Sequence, residues 1–459
     1  MDKPNLKTAT LIVTTVSGFL TPFMSASVNI ALPAIGREFS FSALLLSWTA
    51  TSYILAAAVF LVPFGRIADL VGRKKIFLYG TVVYTFASLF LALARSGLAL
   101  IGWRVVQGIG GAMVFATGVA ILTCVHPPGE RGRVLGINVA AVYSGLALGP
   151  VLGGFLTDHL GWRSIFWVNV LLGLVIIGLV LWQLKVEWIE SRGESFDLLG
   201  SVIYGFSLVF VIYGLSRLPR GAGFGFLACG LAGLVIFAFR ELHIPSPVLE
   251  MNLLRRNVVF AFSNLAALIN YCATSATGFL LSLYLQYLKV LTAQEAGMVL
   301  IAQPLFQAVF SPLAGRLSDR VEPRIIASSG MGLSVIGLAA LTFLGDKTPI
   351  GFIVGCLVLL GLGFALFSSP NTNAIMSSVE KRHYGVASAT LGTMRLVGMM
   401  LSMGITMLLF SIYIGPAKIG PDNYPRFLLA LRVAFTVFAL LSLAGIFASL
   451  ARGRMRPDH

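Results

Sequence analysis

The sequence of 459 residues has little charge, few acidic residues and only four cysteines. Charged residues make up 11% of it, whereas soluble domains carry about a quarter, so a soluble fold would lack much of its usual surface charge. The 18 acidic residues and five histidines form neither a metal-ligand spacing nor a nucleophile–base pair, which disfavours an enzyme. The cysteines all fall in apolar runs, which predicts neither disulfides nor zinc. We therefore expect no cofactor and no metal.

Long apolar runs dominate the sequence instead. Hydrophobic residues make up 57% of it, and the mean hydropathy is +0.90. A helix needs roughly 20 apolar residues to cross a bilayer, and in lipid each backbone group must pair within its own segment. The predicted fold is an all-α polytopic membrane protein. Its fourteen predicted spans cover residues 8–32, 44–64, 76–94, 100–124, 134–156, 164–184, 198–216, 221–240, 259–286, 296–314, 325–344, 350–374, 386–413 and 427–450.

Basic residues in the short loops predict the orientation of these spans. If the N-terminus lies in the cytosol, roughly two thirds of the 33 Lys and Arg residues fall in cytosolic segments. We therefore expect a multi-pass protein of the cytoplasmic (inner) membrane with both termini in the cytosol. The net charge of +15 then reflects this topology and contact with anionic membrane lipid, and no nucleic-acid partner is predicted.

A charged turn punctuated by glycines occurs twice. Residues 65–75, GRIADLVGRKK, follow the second span, and residues 315–324, GRLSDRVEPR, follow the tenth span 250 residues later. A positive-inside loop would explain the basic residues, but not Asp69, which can accept hydrogen bonds at a helix N-terminus, or the spaced glycines. We predict a gating motif in each half, formed by Gly65, Arg66, Asp69, Gly72 and Arg73 and by Gly315, Arg316 and Asp319.

The repeat of this turn divides the chain into two halves. Residues 1–190 and 258–459 are predicted to be six-helix bundles, and residues 191–257 to hold two linker spans. Parallel halves around a midplane site are a recurrent transporter plan in which one half rocks against the other. We expect a monomer.

The fourth span carries an arginine among polar and small residues. Helical spacing places Arg104, Gln107 and Gly108 on one face. An arginine at the centre of a span costs a few kcal/mol (about 2.5–3.5) even on insertion scales, so it should face a partner or a cavity. The alternative is a side chain that extends to the outer surface.

The fifth span carries glycines at every fourth position, namely Gly145, Gly149 and Gly153, with Pro150 and Gly154 beside them. This spacing predicts a groove that another helix can approach closely. A generic packing seam would give the same pattern if the other motifs were absent.

Together these motifs resemble the major facilitator superfamily. The string Gly149-Pro150-x-x-Gly153-Gly154 is similar to a pattern of exporters in that superfamily. Fourteen spans, the segments 29–33, 48–53 and 161–163, and the span 4 arginine string resemble its 14-helix drug:proton antiporter family. The resemblance implies a secondary active exporter of small amphipathic organic compounds, multidrug-type efflux by alternating access with proton antiport. It also implies that Asp69 meets the start of span 13, near residues 383–385, and holds the inside gate shut.

One position departs from that family. An aspartate commonly stands five residues before the span 1 asparagine, whereas this chain has Met24 before Asn29. All 18 acidic residues lie in loops, tails or predicted span ends, so no midplane carboxylate can exchange a proton for a cation. Coupling would then use Arg104 with Gln107 and Gly108, or a peripheral acid: Asp69, Asp158 or Glu38. The alternatives are a facilitator or exchanger of neutral or anionic amphiphiles without proton coupling, and a substrate sensor, which the two intact turns disfavour.

Polar and aromatic side chains within otherwise aliphatic spans are the predicted substrate contacts. For each aromatic residue, core packing or lipid contact is the alternative. In the first half the set is Phe23, Met24, Ser27, Asn29, Trp48, Tyr53 and Tyr143, with Gln107. In the second half it is Asn270, Tyr271, Gln303, Gln307, Asn371, Asn373 and Arg395.

Overall fold

Fourteen helical segments are long and apolar enough to cross a membrane, which confirms the predicted all-α polytopic fold. The computed structural model describes residues 3–190, 195–245, 247–318, 320–380 and 383–453, and within these ranges it has no β-strand. The helices are α1 Lys3–Glu38, α2 Ala43–Val71, α3 Arg73–Ala92, α4 Gly97–Val125, α5 Pro128–Leu160, α6 Arg163–Gln183, α7 Leu198–Arg217, α8 Gly221–Glu241, α9 Met251–Arg256, α10 Val258–Thr274, α11 Thr277–Tyr287, α12 Ala293–Leu300, α13 Ala302–Ser318, α14 Pro323–Leu341, α15 Ile350–Ser377, α16 Tyr384–Tyr413 and α17 Tyr424–Ala451.

Two of the fourteen spans are interrupted, which the apolar runs do not predict. The ninth span consists of α10 and α11, and the tenth consists of α12 and α13. The break at Ile301 precedes Pro304. Proline has no N–H to donate, and its ring clashes with the carbonyl four residues earlier, so it breaks the helical hydrogen-bond pattern there. At the other break the Thr274 and Ser275 hydroxyls donate to the carbonyls of Asn270 and Tyr271, at 2.8 and 2.6 Å, an interaction that often bends helices.

The spans pack as two bundles. Helices α1–α6, here called the first bundle, pack mainly through the pairs α1–α5, α3–α4, α2–α4 and α3–α6. Helices α10–α17, the second bundle, pack mainly through α14–α15, α13–α15, α14–α17 and α10–α16. Each bundle is held by buried aliphatic and aromatic side chains together with small residues at helix crossings.

Helices α7 and α8 form a hairpin at the seam between the bundles. The Tyr204 hydroxyl of α7 donates to the Ala58 carbonyl of α2 at 3.2 Å. On the other side, Ser411 of α16 donates to the Leu218 carbonyl at 2.7 Å. Helix α8 packs on α7 and exposes most of its remaining surface. The hairpin therefore covers the line where α2 meets α16.

The two faces of the molecule differ in how the bundles meet. The described ends of the chain lie on one face, here called the terminal face, because fourteen spans separate them; the loops after α1 and α3 lie on the opposite face. Hydrogen bonds between the bundles occur toward the opposite face: Ser282 donates to the Asn29 carbonyl at 2.8 Å, Gln286 donates to the Ile30 carbonyl at 2.9 Å, and the Ala43 amide donates to the Ala417 carbonyl at 3.2 Å. The bundles are thus joined on the opposite face.

Candidate functional site

A carboxylate contact between the bundles is made by Asp158, near the end of α5. Its Oδ1 accepts from the Ala293 amide at 3.3 Å, and its Oδ2 accepts from the Gln294 amide at 2.7 Å. These amides belong to the first turn of α12 in the other bundle. A helix N-terminus carries partial positive charge, so a carboxylate is the favoured partner there. We call this contact the opposite-face latch.

The latch completes the capping of α12. The first four amides of a helix have no partner within it. Thr292 and Glu295 form a capping box, in which the Thr292 amide donates to the Glu295 carboxylate at 2.9 Å and the Glu295 amide donates to the Thr292 hydroxyl at 3.2 Å. The remaining two amides, at Ala293 and Gln294, are satisfied by Asp158 from the first bundle. Separating the bundles on this face would leave these two donors to water.

Two glycines let α5 and α12 cross at the latch. A Cβ on Gly154 would lie 2.7 Å from the Gln294 Cα, and a Cβ on Gly297 would lie 2.7 Å from the Pro150 carbonyl carbon. Both distances are too short for any side chain, so the close approach of the backbones requires glycine at both positions. Pro150 and Gly154 of the predicted antiporter string therefore lie at the contact between the bundles.

The other glycines of that string face α1. A Cβ on Gly149 would lie 2.9 Å from the Phe23 carbonyl oxygen, and one on Gly153 would lie 2.7 Å from the Ser27 Cα. Gly145 meets the Phe19 carbonyl in the same way. Ser27 also donates to the Gly149 carbonyl at 2.9 Å. The predicted groove is thus filled by α1 within the first bundle.

The first gating turn lies on the terminal face, where Gly72 separates α2 from α3. Gly72 has φ of 129°, a conformation that favours glycine. Arg73 pairs with Asp69 at 2.7 Å and also with Glu190. A Cβ on Gly72 would lie 2.5 Å from the Glu187 carboxyl carbon.

The segment after α6 lies across this turn, and we call residues 185–190 the strap. The Arg73 amide donates to the Trp188 carbonyl at 2.9 Å, the Lys74 amide donates to the Glu187 carboxylate at 2.8 Å, and the Glu190 amide donates to the Asp69 carbonyl at 3.1 Å. Sequence reasoning missed these partners. Their signal was the acidic composition of the loop that follows a basic, aspartate-containing turn on the same face.

The second gating turn has fewer described contacts. Gly315 faces Ser369, whose hydroxyl would lie 3.0 Å from a Cβ at that position, and Arg316 is exposed. Asp319 lies outside the described residues. Gly65 of the first turn has only an ordinary contact, 3.9 Å from the Ala116 Cβ.

The predicted polar face of the fourth span packs against α2. Arg104 is 2% exposed; its Nε donates to the Thr49 carbonyl at 3.2 Å, and its guanidinium carbon lies 4.5 Å from the Tyr53 ring centroid. Gln107 accepts from Arg104 at 2.5 Å and donates to Ser88 at 2.9 Å. Gly108 lies against the Tyr53 backbone. Arg104 therefore has partners inside the first bundle and does not extend to the surface.

The remaining coupling candidate, Glu38, lies on the opposite face. Its carboxylate accepts from Arg163 at 2.5 and 2.8 Å and from the Trp162 indole at 2.7 Å. These contacts join the end of α1 to the start of α6 within the first bundle.

The predicted substrate residues of the first half are divided between the bundle core and partly exposed positions. Phe23, Met24, Ser27 and Tyr53 are buried, whereas Asn29, Trp48 and Tyr143 are partly exposed. The Asn29 carbonyl belongs to the contact between the bundles described above. Met24, which stands where the 14-helix family commonly has an acid, packs in the hydrophobic core.

The predicted substrate residues of the second half lie at different depths. Tyr271 contacts Phe364 edge to face, with ring centroids 5.2 Å apart, and Arg395 lies over Tyr271. Asn371, two turns beyond Phe364 in α15, instead accepts a hydrogen bond from Arg452 at 2.9 Å near the terminal face. Asn373 donates a hydrogen bond to Ser318 at 3.1 Å. Gln307 and Asn270 are buried and Gln303 is partly exposed. The structure therefore brings Tyr271 and Arg395 together at mid-span.

Two helical bundles joined on one face, with motif-bearing turns on the other, are the architecture of a membrane transporter rather than an enzyme. The model of the Major Facilitator Superfamily matches residues 14–262 and 263–459. The chain belongs to this superfamily.

Named relatives include exporters and a vitamin transporter. The chain is 30% identical to the multidrug resistance protein Stp of Mycobacterium tuberculosis over 86% of this chain and 74% of that protein. It is 30% identical to the cephamycin export protein CmcT of Amycolatopsis lactamdurans over 98% and 94%, and 29% identical to the riboflavin transporter RibZ of Clostridioides difficile over 84% of each.

A solved structure shares the fold. The bacterial homolog of the human lysosomal transporter Spinster, in an inward-facing and unoccupied conformation, superimposes with a TM-score of 0.69 at 18% identity and full coverage of both chains.

Proposed function

We propose that the protein exports small amphipathic organic compounds by alternating access. Residues 1–190 and 258–459 would act as the moving bundles, and residues 191–257 as a hairpin at their seam. The observation that carries this proposal is the opposite-face latch, because a carboxylate of one bundle caps a helix of the other with no covalent connection nearby. Such a contact can be made and broken as a unit. The names of the relatives Stp and CmcT support export as the direction.

We further propose that the terminal face is cytosolic and that the protein lies in the inner membrane as a monomer. The excess of Lys and Arg in loops of that face supports this orientation. In that orientation the latch closes the outer side and the gating turn with its strap lies on the inner side. The same basic loops would contact anionic lipid.

Proton antiport, which the family resemblance implies, requires a group that both sides can reach in turn. Among the described acids, Asp158 and Glu38 lie on the opposite face, and Asp69 lies on the terminal face. Each has partners on its own face. If protons are exchanged, one of these groups must gain access to the other side through the rocking motion, with Arg104 and Gln107 as the buried network between them.

A second candidate is export without proton coupling, as a facilitator or exchanger of neutral or anionic amphiphiles. The absence of any mid-span carboxylate in the sequence favours it. An anion that leaves a cell with a negative interior gains about 2.3 kcal/mol per charge for each 100 mV of membrane potential. Such a substrate needs no proton to drive its export.

Transport by proteoliposomes distinguishes these two candidates. Cationic, neutral and anionic dyes would be loaded, and a pH gradient and a membrane potential would be imposed separately. Proton antiport predicts that the pH gradient alone accelerates dye movement at zero potential. The uncoupled candidate predicts that anion efflux follows the potential and ignores the pH gradient. No protein-dependent movement of any dye would refute export itself.

A further inference from the structure

Among the described residues, Arg104, Arg395 and Arg432 are the arginines that lie about two turns or more from both ends of their helices. Two of these three have carbonyl partners. Arg104 donates to the Thr49 carbonyl and is sealed inside the first bundle. Arg432 donates to the Leu344 carbonyl at 2.7 Å, just after the end of α14. Both contacts account for the charge as part of the fold. The third, Arg395, differs from them.

Arg395 lies near the middle of α16 and is only partly buried. Its guanidinium carbon lies 5.5 Å from the Tyr271 ring centroid. Its Nε is buried and has no hydrogen-bond partner, and no ion pair to it occurs among the described residues. The Tyr271 side chain is therefore its neighbour in the second bundle, but a charge at this depth is costly without a counter-charge. Its planar fork of donors suits a carboxylate, which accepts two parallel hydrogen bonds.

The position of Arg395 on α16 directs it toward the space between the bundles. One turn before it, Gly392 faces Leu61 of α2 in the first bundle, at 3.6 Å from a Cβ at that position. One turn after it, Gly398 packs against the Leu268 carbonyl oxygen and the Tyr271 Cβ of α10. Residues 392, 395 and 398 follow one stripe of the helix. Arg395 therefore lies between the side of α16 that meets the first bundle and the side that meets α10.

An aromatic pair lies beside this charge. Tyr271 is in edge-to-face contact with Phe364 of α15. Aromatic rings provide large apolar contact area with a polar edge. The site thus combines one cation with an aromatic pair.

We infer that Arg395 binds the carboxylate of an amphipathic anion, while Tyr271 and Phe364 contact its aromatic or apolar body. The inference rests on the proposed export function and names its substrate class. A lipophilic cation would meet an uncompensated positive charge here and find no mid-span carboxylate. The substrates expected are therefore aromatic carboxylates rather than cationic drugs.

A matched pair of dyes tests the site. The probes are 7-diethylaminocoumarin-3-carboxylic acid, which carries one negative charge, and its neutral methyl ester. Binding to the full-length protein in lipid nanodiscs is measured by fluorescence, and efflux is measured in proteoliposomes. Arg395→Gln removes the charge, and Arg395→Lys keeps the charge without the fork. As a control, Arg432→Gln removes the charge of an arginine within a helix that has a carbonyl partner.

The wild-type protein should bind the acid at least about 10-fold more tightly than the ester, since hydrogen bonds to charged groups are worth that much. Arg395→Gln should abolish this preference, Arg395→Lys should keep part of it, and Arg432→Gln should retain it.

Equal binding of acid and ester by the wild type, binding of neither, or an unchanged preference in Arg395→Gln would overturn the inference. Efflux of the ester in such a case would leave the proposed export standing. Preferential binding of the acid without efflux of either dye would support the binding site and contradict the proposed export function.

Discussion

Removal of the Asp158 carboxylate should shift the protein toward a form that is open on the opposite face. In Asp158→Ala, the amides of Ala293 and Gln294 lose both of their acceptors. Capping interactions of this kind are worth about 1 kcal/mol each at accessible sites, and Asp158 is exposed. The loss should therefore be about 1–2 kcal/mol, which raises the ratio of open to closed molecules about 5- to 30-fold.

Spin-label distances across that face measure the shift. Leu98 in the first bundle and Phe343 at the end of α14 are each 78% exposed, so cysteines there can be labelled in a variant without the four native cysteines. The long-distance population should grow in Asp158→Ala. Asp158→Asn, which keeps one acceptor but no charge, should lie between Asp158→Ala and the wild type.

Glu295→Gln is the matched control for this shift. It removes a charge from the same helix end, but the Glu295 contact lies within the capping box of α12 and does not join the bundles. Its distances should match those of the wild type. If Asp158→Ala also gave the wild-type distribution in folded protein, the latch would have no role in closing that face.

Three further changes are expected to act elsewhere. Gly154→Ala should open the opposite face as Asp158→Ala does, because its Cβ meets Gln294, whereas Gly136→Ala in the same helix meets nothing within 4 Å; the same distances check both. Gly72→Ala should displace the strap, because Gly72 has a positive φ and an added Cβ would meet the Glu187 side chain; faster proteolysis within residues 185–190 measures this. Arg240 lowers the pKa of Asp197, mainly through their hydrogen bonds. That stabilisation is present above the ordinary pKa of about 4 and is lost as pH falls through the lowered value. Arg240→Ala should therefore lower the melting temperature at pH 7, and the difference from wild type should shrink below pH 4.

Local features of the fold could be predicted from the sequence. The count of spans follows from run length alone. The spacing of Arg104, Gln107 and Gly108 predicts one shared face, and in the structure Arg104 and Gly108 contact α2 while Gln107 bonds Arg104 and Ser88 of α3. The four-residue glycine period of α5 likewise corresponds to a close helix contact, with α1. These patterns are periodic within one helix, so no knowledge of the partner is needed.

Contacts between distant segments could not be predicted in this way. Asp158 was a candidate for coupling, but its partners are backbone amides 135 and 136 residues away, and amides leave no signature in a sequence. The strap pairs Glu187 and Glu190 with a turn more than 100 residues earlier. Similarly, composition places Asn270, Asn371 and Arg395 within spans, yet only packing decides that Asn371 pairs with Arg452 and that Arg395 has no carboxylate.

The most direct test of alternating access is a reciprocal distance change on the two faces. One label pair is Leu98 and Phe343 on the opposite face; the other is Trp182 and Ile325, 72% and 51% exposed, on the terminal face. Distances are recorded with and without the coumarin carboxylate and in Asp158→Ala. In Asp158→Ala we predict that the distance between the labels on the opposite face increases and that the distance between the labels on the terminal face decreases. Movement of one face while the other stays fixed, or no change in either, would contradict the account.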